Sequence, residues 1–179
     1  MSMAGGLAKQ GLIPVVAIYS TFLQRAYDQI IQDVAMQNLH VVFAIDRAGL
    51  VGEDGETHHG IYDVGFLRQV PGMKILCPAC HTELSEMLRW AVLEQTGPVA
   101  VRYPRGSEGS FRAKPWNPRS CAESWLHGTD AAIITYGSLM NQAMEAAEQL
   151  KAKGIHVTVI RLTSLDTQLA DALEDLGCS

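Results

Sequence analysis

The chain has 179 residues, 47% of them hydrophobic, and a formal charge of −5, which suits one ordinary domain or two small ones with a real core. The acidic excess and the scattered Lys and Arg exclude nucleic acid or an anionic membrane as partner, because both need a concentrated basic face. The opening "MSMAGGLAKQGLIPVVAIYS" lacks a basic segment followed by a small-residue cleavage site. Its apolar run is too short to span a bilayer, so a cytoplasmic location is expected.

Ile13 to Tyr19, "IPVVAIY", is an apolar run with β-branched residues, the pattern of a parallel strand covered on both faces. A helix follows, with Leu23, Ala26, Tyr27, Ile30, Ile31, Val34 and Ala35 at helical spacing and Ser20 or Thr21 as N-cap. "HVVFAID" (His40 to Asp46) is a second buried strand, completing a βαβ unit. After a polar loop, "MKILC" reads as a third strand and Thr82 to Thr96 as a helix stopped by Gly97 and Pro98. "VAVRYP" supplies a fourth strand. The fold class expected is therefore α/β, a doubly wound, mostly parallel sheet.

Gly106 to Ser120 has the Gly, Pro and Ser content of a linker, and 107–125 is assigned to one. A second α/β unit begins with strand "AAIITYG", a helix from about Asn141 to Ala152 stopped by Gly154, and strand "HVTVIR". Few residues remain for it, and it is expected to be incomplete. The organisation read from the sequence is thus 1–106, a linker at 107–125, and 126–179.

Ligands of open α/β sheets bind beyond the carboxyl ends of the strands. Four features fall there: Tyr19 with Phe22 and Arg25; Asp46 and Arg47 with the following loop; Cys77 to His81; and Arg102 to Arg105. Phe22 and Arg25 share a helix face by their spacing. From spacing alone, a packed Phe and a solvated Arg are the simpler reading. Arg47 and Arg105 each follow a strand end, which suits a phosphate or carboxylate clamp made of guanidinium forks.

"GEDGETHHGIYD" (Gly52 to Asp63) holds four carboxylates, two histidines and three glycines. It lacks the alternating acids and twelfth-place Glu of a calcium loop. His58 and His59 are neighbours whose side chains diverge, so no metal site is expected. Acid/base duty by one His and one carboxylate competes with a plain acidic loop. "CPACH" matches both a redox dithiol and a haem attachment motif, but incidental cysteines at a strand end are the simpler reading. Cys77, Cys80, Cys121 and Cys178 are too sparse for a disulfide framework.

Three of these segments together, "IPVVAIYSTFLQRAYDQIIQDVA", "VVFAIDRAGLVGEDGETHHGIYD" and "VAVRYPRG", resemble the pyrimidine-binding domain of the 1-deoxy-D-xylulose-5-phosphate synthases. These are thiamine-diphosphate enzymes of the transketolase group. The resemblance spans about Ala4 to Gly106, and "AAIITYGSLMNQAMEAAEQL" is similar, less strongly, to the start of the transketolase C-terminal domain.

The resemblance implies decarboxylation of pyruvate and transfer of its two-carbon unit to glyceraldehyde 3-phosphate, a step towards isoprenoids, thiamine and pyridoxal. It implies thiamine diphosphate as cofactor, with Phe22 stacking on the aminopyrimidine and Tyr19 and Arg25 beside it. Arg47 and Arg105 would hold the acceptor phosphate, while Asp54 and His58 would contact reacting oxygens and move protons.

In the family, a glutamate upstream of the segment matching "MAGGLA" activates the cofactor, and a separate domain with a G-D-G motif anchors the diphosphate and its Mg²⁺. Neither is found here, so a chain truncated at both ends and inactive without a diphosphate-binding partner domain is expected. Two alternatives are a non-catalytic relic or interaction module of the same fold, and a β-type subunit of a 2-oxo acid dehydrogenase. The incomplete second unit would expose apolar surface, so a homo-oligomer is expected, a dimer by analogy with the family.

Overall fold

The structure is a computed structural model that describes residues 1–165. The tail "DTQLADALEDLGCS", with Cys178, lies outside the described residues. In chain order the elements are α1 (Ser2–Lys9), β1 (Val15–Tyr19), α2 (Ser20–Leu23), α3 (Tyr27–Gln29), β2 (Val42–Asp46), α4 (Asp63–Leu67), β3 (Lys74–Leu76), α5 (His81–Leu93) and β4 (Val99–Arg102). Then come β5 (Ala122–Leu126), β6 (Ala131–Tyr136), α6 (Met140–Lys151) and β7 (Val157–Leu162).

The first four strands form one parallel sheet in the order β1-β2-β4-β3. Alternation decides which face each residue meets. Phe43, Ile45, Ile75 and Ala100 face Leu23, Ile30 and Val34 of the first helical segment. Val42, Leu76, Val99 and Val101 face Met87 and Ala91 of α5. With helices on both faces, this is the doubly wound α/β arrangement expected from the sequence.

Three local expectations are corrected. β1 is an edge strand, with Val15 51% exposed, rather than a strand covered on both faces. The helix after it is not regular: α2 passes through a 3₁₀ turn (Gln24–Ala26) to α3 and then to a π-helical stretch (Ile30–Ala35). Its buried stripe is nevertheless the expected one, because tertiary packing of the apolar face outweighs local helix geometry. Finally, Ala122–Leu126, at the end of the segment read as a linker, forms β5, which pairs antiparallel with β7.

β5, β7 and β6 make a second, mixed sheet in that order, with β6 and β7 parallel and α6 packed on it through Met140, Ala143 and Ala147. Ala122, Ile160, Leu162 and Leu165 join the core of the first sheet, so the two units share apolar contacts. Among the described residues no helix is long and apolar enough to cross a membrane.

Candidate active site

The carboxyl ends of β1, β2 and β4 bring the predicted residues together. Tyr19 closes β1 and Phe22 sits in the first turn of α2; their rings stack 5.5 Å apart at 10°. Arg25, one turn on, holds its guanidinium 5.8 Å from the Phe22 ring centre. His58 meets the edge of Phe22 at 5.5 Å and 74°. Phe22 is 41% exposed, so part of its ring remains accessible to a flat heteroaromatic group. In the same turn Ser20 Oγ is buried with no hydrogen-bond partner among the described residues. The half-exposed Phe22 ring fits stacking with an aminopyrimidine, while the Ser20 hydroxyl is packed against Gly60.

Arg47 follows β2 directly and adopts φ 56°, a left-handed conformation unusual for a non-glycine residue. Asp46 holds it there: one carboxylate oxygen accepts from the Arg47 backbone N–H at 2.6 Å and the other pairs with its guanidinium. The Arg47 guanidinium lies 3.9 Å from the Tyr19 ring centre. Strain of this kind persists where surrounding contacts over-determine it, and it clusters at functional sites.

The loop 47–62 is stapled to the sheet. Gly49 and Gly60 exchange backbone hydrogen bonds of 2.8 Å, and Thr21 Oγ1 donates to the Thr57 carbonyl at 3.0 Å. Gly60 packs so closely that a Cβ there would stand 2.2 Å from the Arg47 carbonyl oxygen and 2.6 Å from the Ser20 side chain. Two 3₁₀ turns, Gly52–Asp54 and Glu56–His58, then carry Asp54 and His58 over the strand ends.

Asp54 bridges the two predicted anion-binding arginines. One oxygen takes Arg47 Nε at 3.0 Å and the other meets Arg105 Nη1 at 3.2 Å, while Glu53 meets the same Nη1 at 3.0 Å. The adjacent histidines diverge. His58 lies against Phe22 with its Nδ1 3.0 Å from Thr57 Oγ1, whereas His59 Nδ1 accepts the Val51 backbone N–H at 3.1 Å. Among the described residues no group of three or more His, Cys, Asp or Glu is placed to hold a metal ion.

Beside Arg105 a hollow of about 310 Å³ opens between the start of α5 and the chain after β4, lined among others by Asp46, Cys80, His81, Tyr103 and Glu108. Cys77 is not part of it. That thiol is buried, and burial pushes its pKa up to about 12, against the pull of Arg102. Cys77 and Cys80 are both free thiols, and a neutral, enclosed Cys77 removes the redox-pair reading.

Sequence reasoning placed Arg102 at the rim with Arg105, and the structure turns it inward. Its Nε and Nη2 donate to the two oxygens of buried Asp63 at 2.9 and 3.2 Å. Burial opposes the Arg102 charge, but hydrogen bonding to Asp63 more than offsets this and holds its pKa above the ordinary range. A second buried pair, Glu83 and Arg161 at 2.8 Å, joins α5 to β7, and Arg161 also reaches Glu123 at 2.9 Å. Burial pushes the Glu83 carboxyl up, against the opposing pull of Arg161. These partners were missed, yet a signal existed: an Arg inside an apolar strand, as in "VAVRYP" and "VTVIRL", demands a buried acid.

Residues 1–109 match the family model for the transketolase pyrimidine-binding domain, and 122–175 match that for the transketolase C-terminal domain. The chain belongs to the transketolase pyrimidine-binding family. Within that family it is 51% identical over 97% of its length to a 1-deoxy-D-xylulose-5-phosphate synthase of Chlorobium luteolum, and 48% identical over 99% to one of Carboxydothermus hydrogenoformans. It spans only 28% and 29% of those two proteins. Among solved structures, a split-gene transketolase described as an inactive beta4 tetramer superposes with a TM-score of 0.74 at 28% identity, covering 92% of this chain and 54% of that one. Transketolase from Leishmania mexicana gives 0.78 at 24% identity, covering 94% of this chain and 25% of that one, a likeness of fold.

Proposed function

We propose that this chain carries the pyrimidine-binding and acceptor-binding half of a 1-deoxy-D-xylulose-5-phosphate synthase, with residues 1–106 as its pyrimidine-binding part. The observation that carries the reading is a continuous set of contacts at one rim of the sheet: His58 on Phe22, Phe22 on Tyr19, Tyr19 against Arg47, and Arg47 and Arg105 sharing Asp54. The similarity to synthases at about half identity supports it.

Thiamine diphosphate, when bound, supplies the carbon nucleophile that takes up pyruvate. Phe22 would stack against its pyrimidine, with Tyr19 and Arg25 beside it. Arg47 and Arg105 bind the phosphate of glyceraldehyde 3-phosphate, which takes over the place now filled by the Asp54 carboxylate. His58 would donate a proton to the acceptor's carbonyl oxygen as the new carbon–carbon bond forms, and Asp54, once released from the arginines, would contact a reacting oxygen.

The test is a chimera in which this chain replaces the matching segment of the Chlorobium luteolum synthase. Synthase turnover from pyruvate and glyceraldehyde 3-phosphate is expected. Arg47→Ala or Arg105→Ala should lower it about a hundredfold, as loss of a positioning contact does. A folded chimera whose turnover ignores both substitutions would refute the assignment.

One observation favours a second reading, a subunit without activity of its own. The related split-gene transketolase chain is described as an inactive tetramer. The exposed β1 edge, with Ile13 and Val15 uncovered, would suit such an assembly.

A further inference from the structure

Three residues outside the proposed ligand contacts link the end of the loop to the second sheet. Asp63 begins α4 at the loop's end and is 1% exposed. Arg102 closes β4, three residues before Arg105, and grips Asp63 with two hydrogen bonds. Tyr136 closes β6 of the second sheet and sets its ring 5.4 Å from the Arg102 guanidinium. The set therefore runs from the second unit, through the central sheet, to the loop that carries Asp54 and His58.

A buried ion pair is weak evidence of stability, because desolvation takes back most of what the charges give; apolar residues would fill the same space at lower cost. What a planar fork adds is direction. Two parallel hydrogen bonds fix both the position and the angle of the carboxylate, and hence of the backbone that bears it. Tyr136 fixes the guanidinium plane in turn, since a cation prefers the ring face. Along the loop, Ala48 N–H donates to the Tyr103 carbonyl, Gly49 pairs with Gly60, Thr21 holds Thr57, and Glu53 and Asp54 meet Arg105, while Asp63 fixes the residue at which the loop turns into α4.

We propose that Asp63, Arg102 and Tyr136 are positioning residues, through which the second unit holds the 47–62 loop in register with Arg105. The identity of the ligand rests on the synthase reading; the positioning itself does not.

The experiment compares the chain with Tyr136→Phe, Tyr136→Leu and Arg102→Lys variants at a temperature where circular dichroism shows each folded. Amide hydrogen exchange over 52–60 and affinity for inorganic phosphate are measured together. Tyr136→Leu and Arg102→Lys should quicken loop exchange and weaken phosphate binding about tenfold, in line with small misplacements at a binding site. Tyr136→Phe, which keeps the ring, should stay within about twofold on both. A Tyr136→Leu chain that melts earlier yet keeps wild-type exchange and affinity would overturn the proposal. If Arg102→Lys does not fold, the two Tyr136 variants decide. If the unsubstituted chain binds no phosphate, the clamp reading fails, and loop exchange alone decides: unchanged exchange in Tyr136→Leu overturns the positioning, faster exchange upholds it.

Discussion

Arg47 and Arg105 leave different strands and grip opposite oxygens of one carboxylate, that of Asp54. A carboxylate held between two guanidinium groups occupies the position a phosphate would take, so a bound anion and Asp54 compete. Asp54→Asn should therefore tighten inorganic phosphate binding, by about threefold to fivefold given the modest strength of partly exposed pairs. Titration by isothermal calorimetry checks this; weaker binding in the variant would show that Asp54 supports the clamp rather than fills it.

Phe22 presents a half-open ring, so removing it costs the fold little and the ligand much. Phe22→Ala should weaken thiamine diphosphate binding about tenfold, as loss of one stacking contact does, with a melting temperature near that of the unsubstituted chain. Fluorescence quenching and thermal melts read the two effects apart.

Gly60 has no room for a side chain against Arg47 and Ser20. Gly60→Ala should push the loop off the sheet and destabilise the chain by about 2 kcal/mol, typical of overpacking at a rigid contact. Urea denaturation measures it. An unchanged midpoint would mean the loop is not held where Gly60 places it.

Glu83 and Arg161 are both buried, and removing one partner strands the other. Glu83→Gln should cost about 3 kcal/mol, softened by the Glu123 contact that Arg161 retains. The melting temperature should fall by roughly 6 to 12 °C for a chain of this size.

Cys77 gives a pH prediction. Burial raises its pKa from 9.0 to about 12, so between those values the folded chain keeps a proton that the unfolded chain has released. Stability is therefore full below pH 9 and falls as pH rises towards 12. At pH 8 in the folded chain, iodoacetamide should leave Cys77 unmodified, as mass spectrometry of the digested protein will show.

Much of this architecture was legible in local pattern. The buried strands β2 and β4 announce themselves as unbroken apolar runs, and the helix stripe from Leu23 to Ala35 survives an irregular backbone because its spacing still places those residues on the sheet. The exposed face of β1 was not legible, since apolar residues at an edge look the same in sequence as apolar residues in the middle. β5 escaped notice because "AESWL" follows a Pro-rich and Ser-rich stretch and its partner β7 is distant in the chain. The grouping of Phe22, Arg47, His58 and Arg105 followed from strand ends and family resemblance, whereas the Asp63 and Arg102 pair, 39 residues apart, needed the folded chain.

If one rim of the sheet binds a thiamine pyrimidine and an anionic acceptor side by side, each ligand should perturb its own cluster of side chains there. Nuclear magnetic resonance of the labelled chain, titrated first with thiamine diphosphate and then with glyceraldehyde 3-phosphate, tests it most directly. Shifts are expected at Phe22 and His58 with the first ligand and at Arg47 Nε and Arg105 Nε with the second. Shifts confined to any other face of the molecule, or none at saturating ligand, would contradict it.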